Sequence, residues 1–262
     1  MRFSVISSGS KANCTFIESG NTRILIDCGL SAKELERRLL IHGINPETID
    51  AIIVTHEHSD HVYGIPVLSK RYKLPVFANN GTAHHIKKAY GIEKFSTGEA
   101  FWIGSVKVDP FSIVHDAADP VGYSLFAEGL KFVQATDLGR VTPLVKHMLE
   151  GAHAIVLESN HCQEMLKNCD YAWHLKQRIS SSYGHLNNDA AGALLEELIH
   201  PELSHIVLAH LSENSNTPDV ALDAVNHYIH NVYRHSIVAG SVSQPTEMVH
   251  IAEFDLKRQA ML

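Results

Sequence analysis

Short apolar runs dominate the first half of the chain. Residues 1–6, 14–18 and 23–27 read as strands, separated by Ser7-Ser8-Gly9-Ser10 and Ser19-Gly20-Asn21 turns. Residues 30–42 carry Leu35, Leu39 and Leu40 at helical spacing, with Ser31 placed as the N-cap. Ala51-Ile52-Ile53-Val54 is apolar at every position, the pattern of a strand covered on both faces. A helix over 62–72, a strand over 76–78 and a helix over 82–89 are expected next, then strands over 106–114, 121–126 and 131–135. Beyond Thr142 the pattern turns to strand and helix. Strands are expected over 154–157, 206–209 and 236–239, with a helical stretch reaching Ser180 and helices over 188–199 and 218–232. Helices interleaved with strands in both halves predict two packed sheets with helices outside, an α/β sandwich of the αβ/βα type. With no repeat, low-complexity tract or linker, residues 1–262 read as one domain.

Composition narrows the setting. The 45% hydrophobic content suits a globular core, and no run approaches the ~18 apolar residues of a membrane helix. The first residues run straight into a strand with no signal-peptide pattern, so a cytoplasmic protein is expected. Cys14, Cys28, Cys162 and Cys169 form no CxxC pair and read as reduced thiols. The net charge of −7 is uneven: residues 1–107 carry 13 Lys+Arg against 10 Asp+Glu, the remainder 9 against 19. Two bound divalent cations would invert the local field at a site, so global charge says little about the substrate.

Polar clusters follow the apolar strands at residues 27, 56, 115, 137, 158 and 210, where strand ends can bring them together. The strongest is Thr55-His56-Glu57-His58-Ser59-Asp60-His61. Four imidazole or carboxylate ligands within six residues suit zinc, manganese or iron, and in an irregular loop alternate side chains diverge enough to serve two ions.

This HxHxDH string after an apolar strand resembles the metallo-β-lactamase superfamily. Leu25-Ile26-Asp27-Cys28-Gly29 is similar to its first motif, whose Asp supports the metal loop from behind. His115, Asp137 in Ala135-Thr136-Asp137-Leu138-Gly139, and His210 match its later motifs in order. The resemblance implies a four-layer αβ/βα metallo-β-lactamase sandwich with two divalent ions. His56, His58 and His115 would hold one ion, Asp60, His61 and His210 the other, with Asp137 bridging. A carboxylate bridge fits phosphodiester and thioester hydrolases rather than β-lactamases.

Further segments resemble the YycJ/WalJ group, compact relatives of ribonucleases J and Z without a β-CASP domain. They are Ser7–Cys14, Leu157-Glu158-Ser159-Asn160-His161, Gly184-His185-Leu186-Asn187 and Leu211–Asn216. That resemblance implies a 5′-to-3′ exonuclease acting on DNA. One departure is Cys162, where the group often carries an acidic residue. The chemistry is consistent: a hydroxide between two ions can attack phosphorus while the metals neutralise developing charge. Asp60 would orient the water and take its proton, and His185 would bind phosphate or protonate the leaving group. Ser182, Gly184 and His185, ahead of the helix from 188, are candidate phosphate contacts, although Asn187 or Asn188 also reads as that helix's cap. Ser212, Asn214 and Asn216 are further candidates that equally make turns. Lys11 is a candidate backbone contact, and Glu158 and His161 are candidates to support or replace a ligand. Basic clusters at Arg37-Arg38, Lys70-Arg71-Lys73 and Lys87-Lys88 read as solvated helix faces. DNA recognition, if present, is expected through the backbone. The rival readings are a small-molecule thioester or cyclic phosphodiester hydrolase on the same site, and a metal-binding regulatory module without turnover.

Overall fold

The computed structural model describes residues 1–251. Its strands form two seven-stranded mixed sheets. The first contains β1 (Arg2–Ser7), β2 (Cys14–Ser19), β3 (Thr22–Ile26), β4 (Ala51–Ile53), β5 (Pro75–Asn79), β6 (Gly91–Phe95) and β14 (Val249–His250), in the order β14-β1-β2-β3-β4-β5-β6. The second contains β7 (Phe101–Ile103), β8 (Val106–Ser112), β9 (Val121–Ala127), β10 (Leu130–Ala135), β11 (Ala154–Glu158), β12 (His205–Ala209) and β13 (Ile237–Ala239), which lie side by side in chain order. Each sheet is antiparallel at one end and parallel at the other, with β3 to β6 and β10 to β13 the parallel stretches.

The unalternating apolar strands are those covered on both faces. Ile24 and Ile26 of β3 face the second sheet, joining Phe132, Val156 and Val207 in the central core, whereas Leu25 points outward to the helices. Outside the first sheet lie α1 (Ala32–Ile41) and α3 (Ile65–Tyr72), whose Leu35, Leu39, Ile65 and Leu68 pack with Leu25 and Ile52. Outside the second lie α5 (Pro143–Leu149), α8 (Asn188–Leu198) and α9 (Pro218–Ile229), which bury Val145, Leu194, Leu195 and Val225 against Ile155 and Leu208. Helix, sheet, sheet and helix make the four layers, and burying roughly 2 kcal/mol worth of surface per large apolar side chain holds them together.

The Ser31 hydroxyl accepts from the Glu34 N–H (3.3 Å), capping α1 as its position suggested. The expected helix over 62–72 is two pieces, α2 (Ser59–Val62) and α3, separated at Gly64. The metal motif therefore straddles the loop after β4, which carries His56 and His58, and the α2 turn, which carries Asp60 and His61. Only α4 (Asn80–Ala83) forms in the segment expected as a helix over 82–89. The helical stretch before Ser180 divides into α6 (Gln163–Asn168) and α7 (Trp173–Ile179). Strands β6, β7 and β14 were not foreseen. No helix among the described residues is long and apolar enough to cross a membrane, and all four cysteines are free.

Candidate metal centre

Six strand ends converge on one cleft. Three of the residues there, Asp27, Asp137 and His210, have left-handed backbones with φ of 63°, 58° and 56°. Each follows closely on the end of β3, β10 or β12, and the turn swings its side chain across the sheet edge. For a non-glycine residue that conformation costs of order 1 kcal/mol or more, and such strain concentrates at functional sites.

Backbone bonds strap the α2 turn and its exit to the segment after β3 and to Asn13 before β2. Cys28 N–H donates to the His61 carbonyl (2.7 Å), Gly64 N–H to the Cys28 carbonyl (2.8 Å), and Asn13 N–H to the Asp60 carbonyl (2.8 Å). Gly29 is required here because a Cβ would lie 1.7 Å from the Asp60 carbonyl oxygen. His58 ends the extended entry to this turn, so His56 and His58 diverge from Asp60 and His61.

The structure brings all seven expected ligands together. Ligand atoms of His56, His58 and His115 lie within 4.8 Å of one another, as do those of Asp60, His61 and His210. Asp137 sits between the sets: its carboxylate oxygens are 3.3 Å from His61 Nε2, 3.4 Å from His210 Nε2 and 3.6 Å from His115 Nε2.

The groups behind the ligands decide which ring nitrogen faces the cleft. Asp27, fully buried, accepts from the Thr55 N–H (2.8 Å), the Thr55 hydroxyl (2.9 Å) and His61 Nδ1 (2.8 Å). Since the Thr55 proton goes to Asp27, its oxygen accepts from His56 Nδ1 (3.0 Å). His115 Nδ1 donates to the Gly184 carbonyl (3.1 Å), and His210 Nδ1 to Glu158 (2.9 Å). Four Nδ1 protons are thereby held away from the site, and four Nε2 atoms face inward. The buried Nε2 atoms of His56, His115 and His210 have no hydrogen-bond partner among the described residues. Orphaned inward-facing imidazole nitrogens around a shared carboxylate are the donor set of a divalent metal site, and the residues fit such ions.

Electrostatics follow the same layout. Burial pushes His56 and His115 below the ordinary histidine range. Burial also opposes charge on His61 and His210, but Asp27 and Asp137 lift His61 well above that range, and Asp137, Asp60 and Glu158 lift His210 to about 10. Although burial disfavours its charge, Asp137 is held far below the carboxylate range by His210 and His61. Asp60 is lowered against burial by the imidazoles of His210 and His61 beside it (3.6 and 3.3 Å). Divalent ions would take over the role these imidazolium charges play.

Three further residues contribute, of which Glu158 was a sequence candidate to support or replace a ligand and Asn13 and Arg178 were not assigned a role. Glu158, the last residue of β11, is fully buried and accepts four bonds: His185 Nδ1 and His210 Nδ1 on one oxygen (2.9 Å each), Leu138 N–H and Leu186 N–H on the other (2.8 Å each). Its place is behind the ligands, orienting two histidines. Asn13, within the Ser/Gly segment after β1, donates to the Asp60 carboxylate (3.0 Å). Arg178, at the end of α7, lines the cleft and donates to Asp116 (2.6 Å) beside His115. Glu158 was recognisable as a polar residue closing an apolar strand within a segment that resembles the YycJ/WalJ group; Asn13 and Arg178 gave no spacing signal.

The remaining candidates separate. His185 and Ser212 line the cleft, which encloses about 250 Å³. The Gly184 N–H is bonded to the Ser181 carbonyl (3.0 Å), and the buried Asn216 amide donates to the Ser159 and Asn160 carbonyls (2.9 and 3.0 Å). Ser182 and Asn214 are exposed and are not among the residues lining the cleft, and Asn187 caps α8 by accepting from Ala190 N–H (2.9 Å). Lys11 is paired with Glu213 (2.7 Å) on the surface, and His161 is buried with Nδ1 3.3 Å from its neighbour Asn160. Cys162 begins α6 as its N-cap residue, without a side-chain capping bond.

A family model described as a beta-lactamase superfamily domain matches residues 22–210. The chain belongs to the metallo-β-lactamase superfamily. It is a metal-dependent hydrolase of that superfamily, within the YycJ/WalJ group. It is 38% identical over 232 residues to the exodeoxyribonuclease YycJ of Bacillus anthracis, covering 86% of this chain and 88% of that protein. It is 33% identical over 228 residues to the exodeoxyribonuclease WalJ of Streptococcus pneumoniae, covering 84% and 85%. Among solved structures, the metallo-β-lactamase fold protein YhfI of Bacillus subtilis superimposes with a TM-score of 0.71 at 17% identity, covering 94% of this chain and 98% of that one. Human short-form tRNase Z superimposes with a TM-score of 0.66 at 14% identity, covering 96% and 100%. Both share the fold.

Proposed function

We propose that this superfamily member is a dinuclear phosphodiesterase that degrades DNA from the 5′ end as a single catalytic domain of the cytoplasm. The observation that carries this reading is the pair of ligand sets meeting at Asp137, with the Nε2 atoms of His56, His61, His115 and His210 turned inward beside an open cleft. His56, His58 and His115 would hold one ion, and Asp60, His61 and His210 the other. When bound, such ions, whether zinc, manganese or iron, would lower the pKa of an attacking water and neutralise charge developing on the phosphate. The names of the relatives, both exodeoxyribonucleases, favour DNA over a small ester.

The chain's own groups divide the remaining work. Asp60, half-buried and fixed by Asn13, is placed to orient the water and accept its proton. His185 is turned by Glu158 into the cleft wall, where its ring can donate a proton to the departing oxygen. Arg178 offers a guanidinium to a phosphate oxygen by exchanging partners with Asp116.

The test is degradation of end-labelled duplex DNA with manganese or zinc, comparing 5′-phosphate with 5′-hydroxyl ends. Stepwise loss from the 5′ end, abolished in Asp60→Ala, is the expected result. Intact DNA under every metal, with a small chromogenic phosphodiester still cleaved, would leave a small-ester hydrolase instead.

A further inference from the structure

Beside the cleft lies a larger cavity of about 690 Å³ that hydrolysis at the metals does not by itself use. It opens among α5, α6, α7 and α8, and His185 lines both it and the metal cleft. Its floor is apolar: Leu166, Leu186 and Leu194 are buried, and Ala190 and Ala193 on α8 leave the space open. The exposed indole of Trp173 (72%) stands at its edge. The rim is cationic. Arg140, Lys167 and Lys176 have no acidic partner among the described residues, and the Lys176 ammonium is held in place by the Lys167 carbonyl (2.7 Å). Lys146 is paired with Glu197, the one carboxylate of the lining.

That volume falls within the ~300–1,000 Å³ of small-ligand sites, whereas the cleft at about 250 Å³ falls below it. An apolar floor, an exposed indole and three unpaired cations complement a molecule with a flat ring at one end and negative charge at the other. Aromatic stacking suits every base, and ammonium and guanidinium groups suit phosphate.

We propose that this cavity seats the terminal nucleotide of the DNA strand. Its base lies against Trp173 and the leucine floor, its phosphate faces Arg140, Lys167 and Lys176, and its 3′ phosphodiester reaches the cleft past His185. The assignment rests on the exonuclease reading above. It makes the cavity a one-nucleotide gauge: the enzyme counts from an end because the cleft receives a diester only when the neighbouring nucleotide is seated. A released deoxynucleoside monophosphate then binds the same place and inhibits.

The chain has two tryptophans, so Trp102→Phe leaves Trp173 as the sole indole reporter. The metal-loaded Trp102→Phe protein is titrated with dAMP, deoxyadenosine and inorganic phosphate, following Trp173 emission. Ala193→Phe, which fills the floor, and Lys176→Glu, which reverses a rim charge, are then compared with wild type on end-labelled DNA and on the chromogenic diester. A saturable response to dAMP is expected, with each variant lowering the ratio of DNA to diester rates about tenfold, the scale of one stacked base. DNA degradation at the wild-type ratio in both variants, with no saturable dAMP response, would overturn the proposal while leaving the exonuclease intact. If wild type degrades no DNA, the exonuclease reading falls. The dAMP titration then decides the cavity alone: saturation keeps a nucleotide site there, and its absence removes it.

Discussion

Replacing Glu158 with glutamine is the sharpest perturbation of the site that replaces no proposed ligand. The carboxylate receives two protons on each oxygen, from His185 and His210 on one and from two backbone N–H groups on the other. Glutamine keeps the shape but supplies one accepting oxygen and one NH2 group. Whichever way the amide turns, two donors face a donor. Hydrogen bonds to a charged acceptor contribute about 1.5–3 kcal/mol each, so two lost bonds cost about 4 kcal/mol. For a chain of this size that corresponds to a fall in Tm of about 10 °C. If the amide nitrogen takes the histidine side, His210 Nδ1–H is no longer held away and Nε2 is no longer fixed toward the metal. Metal affinity then falls about 10- to 100-fold. The assay is a calorimetric melt of the metal-loaded protein, paired with metal retention during dialysis against a graded chelator. Glu158→Gln with wild-type Tm and wild-type retention would refute the reasoning that this carboxylate orients the site.

Asp27→Asn should act in the same direction from the other sheet, loosening His61 and cutting metal affinity about tenfold by the same dialysis measurement. Stripping the metal with a chelator should abolish hydrolysis and lower Tm, because it leaves charged and orphaned groups packed together, and re-adding manganese or zinc should restore both. His161 sets a pH dependence. Burial holds it down to about 4, so the folded chain keeps it neutral while the unfolded chain protonates it below about 6.5. Its contribution, at most about 3 kcal/mol, is present above pH 6.5 and is lost as pH falls toward 4. His161→Gln should therefore show a flatter decline of Tm between pH 7 and 5 than wild type, and parallel declines would count against the buried neutral imidazole.

The proposed ligands were legible because their chemistry is dense in the chain and tied to a pattern. Four lie within six residues, and the others follow apolar strands, whose ends converge in a sandwich of this kind. The central strands were legible for a related reason: burial on both faces leaves no polar position to confuse the reading. Strands at the sheet edges lacked that signature. In Gly91–Phe95 of β6 only Phe95 is buried, so no alternation marks it. Single helices were expected at 62–72 and up to Ser180 because apolar spacing continues across breaks that tertiary contacts impose. At Gly64 the chain passes so close to Leu30 that a Cβ would lie 2.1 Å from its carbonyl oxygen. The supporting residues were the least legible. Asn13 meets Asp60 across 47 positions, Arg178 meets Asp116 across 62, and neither distance is encoded by local spacing.

The bond that anchors His210 also ties the site to segments far apart in the chain. The His210 N–H donates to the Ser8 hydroxyl (2.7 Å), and the Ser8 N–H donates in turn to the Ser241 carbonyl (3.0 Å). The second ligand set therefore needs a segment from the beginning of the chain, a motif from its first quarter and a strand end from its last. Ser8 is thereby held from both sides, and a truncation that removed Ser241 would loosen the seat of the His210 turn without deleting any proposed ligand.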